Sequence, residues 1–428
     1  MSAVDARAPA PTAGALAPYR VVDLSTARGW LTGRILADLG ADVVKVEPPG
    51  GDPGRRLPPF ADDEPGPERS LQWWFANRGK RSVCLDLDDA DGVALARRLL
   101  AGADVVVESF DPGYLAERGL GYDELHALNP RLVVTSVTPF GQDGPYAGWA
   151  GPDLVLSAMG GPMWLTGEPD RPPVRISVPQ YEMHGAAEGA VATAIALYHA
   201  AATGEGQHVD VSCQLAAIRT LMNATAFPYL EGVELSRQGR EVAHGHARFR
   251  MLYACADGHV SVLLTAGALG GPIVKALLRW IGEEEGVPEH LSEVDWVAMD
   301  FAELATSEEG RAFFAEVSAV IDDFFARRTK AELYAEALAR GFLLAPANTV
   351  ADIRVDEQLA ARGFFVEVDH PERPEPVVYP GPWARLSETP LAHGARAPRV
   401  GEHNRAVLVD ELGLGPGELR SLHARGVV

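Results

Sequence analysis

What most restricts the fold of this chain is a repeated alternation of short apolar runs with helix-spaced segments. "YRVVDLS" (19–25) reads as a buried strand, "WLTGRILADLG" (30–40) as a helix closed by Gly40, and "ADVVKVE" (41–47) as a second strand. Such a strand–helix–strand unit requires a parallel sheet. The pattern recurs: "SVCLDL" (82–87), a helix over 88–103, "DVVVES" (104–109), a helix over 122–129 and "RLVVTSV" (131–137). An alanine-rich helix from about 182 to 202 follows, then the turn "TGEGQ" and the strand "HVDVS". The fold class is therefore α/β, with a doubly wound parallel sheet.

The rhythm changes beyond about residue 225. "YACADGHVSVLL" (253–264) reads as a hairpin turning at Asp-Gly, and "ALLRWIGEEE" and "RAFFAEVSAVIDDFFARR" as amphipathic helices. The domain expectation is a disordered segment 1–18, a large α/β domain from 19–225, a smaller α+β domain from 226–331, and a tail from 332–428. With 428 residues the chain exceeds one ordinary core.

Basic residues number 38 against 59 acidic, a formal net charge of -21. That excludes a nucleic-acid or anionic-membrane surface, since both need positive charge. Cys84, Cys213 and Cys255 are too sparse for a disulfide framework and have no metal-ligand spacing; no metal is expected. Residues 1–18 lack the apolar core of a signal peptide and no run is long enough to span a membrane, so the expected location is the cytoplasm.

The first strand is followed by "STARGWLTG", with neither G-x-G-x-x-G nor a P-loop. Three basic spots nevertheless lie within sixty residues: Arg28 at a helix start, Arg55 and Arg56 after the Gly-rich "PPGGDPG", and Arg78, Lys80 and Arg81 in "NRGKRS". They suit a polyanionic ligand, and equally suit ordinary surface ion pairs. Glu182 opens the long apolar helix. Alone, a first-turn glutamate is far more often a complement to the helix dipole than a catalyst. No Ser-His-Asp order stands out, and the histidines of "AHGHARFR" (243–250) have no Cys or Asp at ligand spacing.

Taken together, "VVDLSTARGWLTGRILADLGADVVKVEPPGGDPGR", "NRGKRSVCLDLDD", "ADVVVESFDPGYLAERGLGYDELHALNPRLV", "PFGQDGPYAGWAGPD" and "TGEGQHVDVS" make the chain resemble the class III CoA-transferases. "PANTVADIRVDEQLAARGFF" and "LSETPLAHGARAPRVGEHNRAVLVDELGLGPGEL" extend the resemblance from about residue 18 to the end. It implies a large domain built from both chain ends, a smaller inserted domain, and an interlocked homodimer. It implies a coenzyme A thioester as substrate, with no permanently bound cofactor, and a carboxylic acid as partner substrate. The stretches that carry CoA in the family hold Ala27, Arg28, Arg55, Leu85, Ser109, Phe110 and Arg118 here.

The family's nucleophile is an aspartate twenty-one positions before the Thr of T-G-x-G-Q. Counting back from Thr203 reaches Glu182, and a one-residue gap would substitute Tyr181. The resemblance thus implies an acyl-CoA transferase acting through Glu182. Two alternatives stay open: an epimerase or hydrolase using Glu182 as a base, and a CoA-ester-binding protein without transferase activity. Racemases of this fold need a histidine before the Asp of "GPD", where Pro152 stands. After its first strand the family often has a small Gly- or Pro-containing stretch; here it is "RGWL", and Trp30 is expected to fill part of the pocket for the pantetheine or acyl group, while "GALGG" (267–271) is a weak counterpart of the family's glycine-rich loop.

Overall fold

Strands β1 (Arg20–Asp23), β2 (Asp42–Glu47), β3 (Arg81–Cys84), β4 (Val105–Glu108), β5 (Val133–Thr138) and β6 (His208–Ser212) form one sheet in the order β3-β2-β1-β4-β5-β6. Every neighbouring pair is parallel. The valine runs that marked these strands are buried on both faces, as helices covering both sides of a parallel sheet require. A computed structural model describes residues 14–222, 224–244, 247–262, 264, 266–299, 307–393 and 395–428. Residues 1–13 of the expected disordered segment lie outside the described residues. Residues 14–18 form a turn in which the Leu16 amide donates to the Leu39 carbonyl (2.9 Å).

The helices are α1 (Trp30–Asp38), α2 (Leu71–Asn77), α3 (Ala90–Ala101), α4 (Tyr114–Glu117), α5 (Tyr122–Leu128), α6 (Asp153–Met159), α7 (Pro162–Leu165), α8 (Tyr181–Thr203) and α9 (Cys213–Arg219). One face of the sheet packs Val106 and Val134 with Leu95, Leu99 and Leu125 of α3 and α5. The other packs Val105, Val107 and Val133 with Leu36 of α1 and Ala196, Leu197 and Ala200 of α8. Small residues let α8 settle closely. A Cβ on Gly185 would lie 2.4 Å from Cys213 Sγ, and one on Gly189 would lie 3.0 Å from Thr32 Oγ1. Gly204, at φ +85°, ends α8 in the left-handed conformation that glycine adopts freely. The outward residues of α8 and α9 (Val191, Ile195, Tyr198 and Leu215) are exposed in the single chain.

The chain divides into two compact units. One comprises residues up to 163, 175–230 and 357–428, and the other comprises 164–174 and 231–356. The expected boundary at 331/332 is therefore displaced to 356/357. The cause is a non-local pairing: Leu344–Pro346 adds an antiparallel strand to Gly258–Val262, so 332–356 stays with the smaller unit. In the hairpin of that unit Cys255 pairs with Gly258, so the turn is Ala256-Asp257 rather than Asp-Gly. "GALGG" opens the helix Gly267–Glu284 instead of forming a loop. The last segment packs into the larger unit. Asn404 accepts the Cys84 amide at 2.8 Å, His403 accepts the Ser82 amide at 3.1 Å, and Val427 and Val428 join its core.

Beneath the start of α1 lies a buried ion pair. Lys80 Nζ meets Asp23 Oδ2 at 2.7 Å, both side chains fully buried, and also donates to the Trp30 carbonyl and Asn77 Oδ1 (2.8 Å each). Burial raises the Asp23 acid, but Lys80 and Lys45 outweigh it and hold the carboxyl below its usual range. Burial also brings Lys80 down to about 8, with Asp23 opposing that shift. Removing one partner of such a pair strands a buried charge. Lys80→Met is expected to cost about 3–5 kcal/mol in urea unfolding, and the added change Asp23→Asn should recover part of that loss.

Candidate active site

The strand order reverses at β1 and β4, so the loops leaving their carboxyl ends part and open a crevice there. The loop after β1 carries Ser25 to Gly29, and the loop after β4 carries Ser109 to Gly113. Asp23 fixes the first loop by accepting from the Ser25 amide (2.9 Å) and hydroxyl (2.6 Å), and Lys45 holds the Ser25 carbonyl from below. Ser109 ties the two loops together: its Oγ accepts the Thr26 amide at 2.8 Å and lies 2.9 Å from Thr26 Oγ1.

The first turn of α8 arrives at this crevice with Glu182. Its carboxylate pairs with Arg28 Nε at 3.3 Å, with the two side chains 25% and 19% exposed. The carboxylate is thus half-shielded yet reachable. Burial pushes the Glu182 acid up, Arg28 pulls it down, and Asp153 pushes it up again. Tyr181, the alternative under a one-residue gap, is buried among Val137, Leu156 and Cys213 and has no access to the crevice. His184 is exposed, and Glu188 pairs with Arg219 at 2.7 Å, away from Glu182.

Asp153 was not among the candidates drawn from the sequence, and it lies directly beside Glu182. It begins α6, and its Oδ1 accepts the amides of Gln180 (2.9 Å), Tyr181 (2.6 Å) and Glu182 (3.3 Å). Gln180 occupies the N-cap position of α8 without capping it through its side chain. The cap comes instead from a residue remote in sequence. The amides that could have served as an oxyanion hole are therefore engaged by a carboxylate. A capless start to so long a helix was the available signal.

Of the remaining candidates, Ala27 is exposed on the β1 loop, Ser109 is buried at the loop junction, and Phe110 is half-buried beyond it. Phe110 stacks on Tyr114 at 4.4 Å, and the Arg118 guanidinium lies 3.7 Å over the Tyr114 ring. Arg118 also donates to the Leu87 and Tyr114 carbonyls (3.1 Å each) and pairs with Asp88.

The side chains of two further candidates, Arg55 and Leu85, are buried. Arg55 is 1% exposed, and its donors are taken by Glu47 (2.6 and 2.7 Å), Glu68 (2.9 Å) and the Pro398 carbonyl (2.9 Å), with Trp73 under its plane at 3.7 Å. It locks the Gly-rich loop to the protein and has no direction left for a phosphate. The Leu85 side chain is core, packed with Val46, Val83 and Leu99. The basic cluster of 78–81 is likewise structural, with Arg78 and Lys80 buried and Arg81 paired with Asp42 and Glu411. Trp30 lies edge-on to Trp73 (5.2 Å) in a buried aromatic cluster. No group of described residues is arranged to hold a metal.

On the sheet face opposite α8, a cavity of about 90 Å³ is lined by Glu108, Tyr122, Ser136 and His208 among others. Ser136 Oγ lies 2.9 Å from His208 Nε2, and Glu108 accepts the Phe110 amide at 2.8 Å, linking this acid to the crevice loop.

Residues 16–404 match CoA-transferase family III. Succinyl-CoA:(R)-benzylsuccinate CoA-transferase subunit BbsE of Thauera aromatica is 39% identical over 96% of this chain and 97% of its own. Succinate–glutarate CoA-transferase of Agrobacterium fabrum is 34% identical over 92% and 95%. A crystal structure of a CAIB/BAIF family protein from Brucella suis superposes with a TM-score of 0.78 at 33% identity, covering 94% of this chain and all of that one. The chain belongs to CoA-transferase family III. No described helix is long and apolar enough to cross a membrane.

Burial pushes Glu108 up to about 6, while hydrogen bonds from Ser136 and the Phe110 amide pull it down and Asp210 adds to the rise. The folded chain favours the protonated acid. This group's contribution to stability is full below its ordinary 4.5 and is lost as pH rises through about 6. Glu108→Gln keeps the acceptor for Phe110 and removes the titration. Its stability relative to the parent should be level near about pH 4 and rise to about 2 kcal/mol in its favour above about pH 7, read by urea unfolding across pH.

Proposed function

We propose that the chain transfers coenzyme A between carboxylic acids, with Glu182 as a covalent nucleophile. The observation that carries this reading is the Glu182 carboxylate itself, half-shielded at the switch point and paired with Arg28. Glu182 attacks the thioester carbonyl and releases CoA thiolate, leaving a mixed anhydride. The thiolate attacks the Glu182 acyl carbon, giving a glutamyl-CoA thioester and freeing the donor's carboxylate. The acceptor acid reverses these steps, so one difficult exchange becomes several easier ones.

Burial limits water's competition for the carboxylate and favours its protonated form, and Arg28 opposes that rise. Ala27, Arg28 and Ser109 border the thioester end of the ligand's path. The Phe110–Tyr114–Arg118 stack offers a flat surface and a cation farther along it, suited to a nucleotide. The names of the two relatives make succinyl-CoA the first donor to try and dicarboxylic acids the first acceptors.

A second reading has its own support. BbsE is named as a subunit, and this chain carries glutamate where the family keeps aspartate. The chain would then bind a CoA ester within a larger assembly and leave the chemistry to a partner. Epimerisation is less favoured, because Pro152 stands where a base is needed and His184 points to solvent.

Incubating the chain alone with succinyl-CoA and a panel of acids separates these readings. The proposal expects a new acyl-CoA, its loss in Glu182→Gln, and at least a tenfold fall in rate, as an order of magnitude, in Glu182→Asp, whose oxygen retreats by about one bond length. A gain of activity in Glu182→Asp would favour the assembly reading. Unchanged transfer in Glu182→Gln would remove the nucleophile.

A further inference from the structure

The covalent route changes the charge at one point of the crevice, and Arg28 faces that point. In the resting chain its Nε pairs with Glu182 at 3.3 Å and its Nη1 reaches the Ser109 carbonyl at 3.5 Å. No further acceptor for its guanidinium is found among the described residues. The other carboxylate close to Glu182 is Asp153, whose Oδ1 is already held by three backbone amides.

Resting on the nucleophile reading above, we infer that Arg28 is the binding residue for the acceptor's carboxylate. Its guanidinium pairs with Glu182 in the resting chain and with the acceptor acid once Glu182 is acylated. The charge balance requires such an exchange. When Glu182 forms a C–O bond to the donor acyl carbon, the C–S bond breaks and CoA leaves as thiolate. When that thiolate forms a C–S bond to the Glu182 acyl carbon, the bond from that carbon to the bridging oxygen breaks, and the donor leaves as a carboxylate that carries an oxygen from Glu182. Glu182 is now a neutral thioester, and the guanidinium, 19% exposed, has lost its anion. An unpaired, half-shielded charge is costly, so it attracts the next available anion.

The departing donor acid fills that place first, and the acceptor acid replaces it. A carboxylate held on Arg28 has its oxygen beside the acyl carbon it must attack, which is the positioning an associative step needs. Guanidinium suits this task, because its planar fork grips a carboxylate in one orientation. Water carries no charge and gains nothing from the exchange. Arg28 therefore favours transfer over hydrolysis of the thioester, and it selects acceptors by a single chemical feature, an ionised carboxylate.

The test compares the parent, Arg28→Gln and Arg28→Lys, with succinyl-CoA as donor and glutarate as acceptor. Peptide mass mapping after donor alone reads the Glu182 adduct, and steady-state rates read KM for each substrate. The inference expects the adduct in all three proteins. In Arg28→Gln the KM for glutarate should rise roughly tenfold to a hundredfold, the range for losing a charged hydrogen bond, while the KM for succinyl-CoA changes by less than about threefold. The adduct should then be lost mainly to water, and Arg28→Lys should recover part of the acceptor affinity. An unchanged KM for glutarate overturns the inference. An equal rise for both substrates also overturns it, making Arg28 a CoA contact. No adduct in the parent overturns the covalent reading and this inference with it. If Arg28→Gln does not fold, the same split is read on Arg28→Lys.

Discussion

The buried pair of Asp23 and Lys80 is the interaction on which the crevice depends. It joins the end of β1, the start of α1 and the segment leading into β3. Asp23 also fixes Ser25, and Lys45 holds the same residue from below, so the loop that presents Arg28 is built on two buried lysines. The chain has only four lysines. A buried ion pair is not in itself a source of stability, since desolvation offsets most of its attraction. Its value here is geometric. The charges must face each other, and that requirement fixes where the β1 loop leaves the sheet.

The second constraint comes from the other side. α8 is long, apolar and closely seated through Gly185 and Gly189, so its first turn cannot drift. Asp153 then closes that end by taking three amides. Glu182 is held between a cation across the crevice and a second carboxylate behind it. Burial and Asp153 favour its protonated form, and Arg28 favours the charged one. A nucleophilic carboxylate needs this kind of balance. It must stay ionised, yet be poorly enough solvated to attack.

Much of this was legible in the sequence where the controlling interactions are local. Valine runs marked the strands, and Gly40 and Gly204, both in the left-handed region, marked helix ends. The register from Thr203 reached Glu182, and Tyr181 beside it is buried in the core. What could not be read depends on contacts distant along the chain. Arg55 beside a Gly-rich loop looks like a phosphate ligand until Glu47, Glu68 and Pro398 appear around it. The start of the tail moves from 332 to 357 because a strand near residue 345 pairs with one near 260. Asp153 was quoted within a motif, but its use as a remote cap depends on where α6 and α8 meet. Charge and residue type are visible in a sequence, whereas the partner that consumes the charge is not.

The central claim is that oxygen, as well as the acyl group, passes through Glu182. The direct measurement is to run a single turnover with an acceptor acid whose carboxylate carries heavy oxygen at both positions, and then weigh the peptide containing Glu182. In the proposed route the acceptor's oxygen bonds to the Glu182 acyl carbon, and it stays there when CoA thiolate takes the acceptor's acyl group. The account predicts one heavy oxygen on Glu182 and one in the thioester product. A labelled product formed while the Glu182 peptide keeps its natural mass would contradict it.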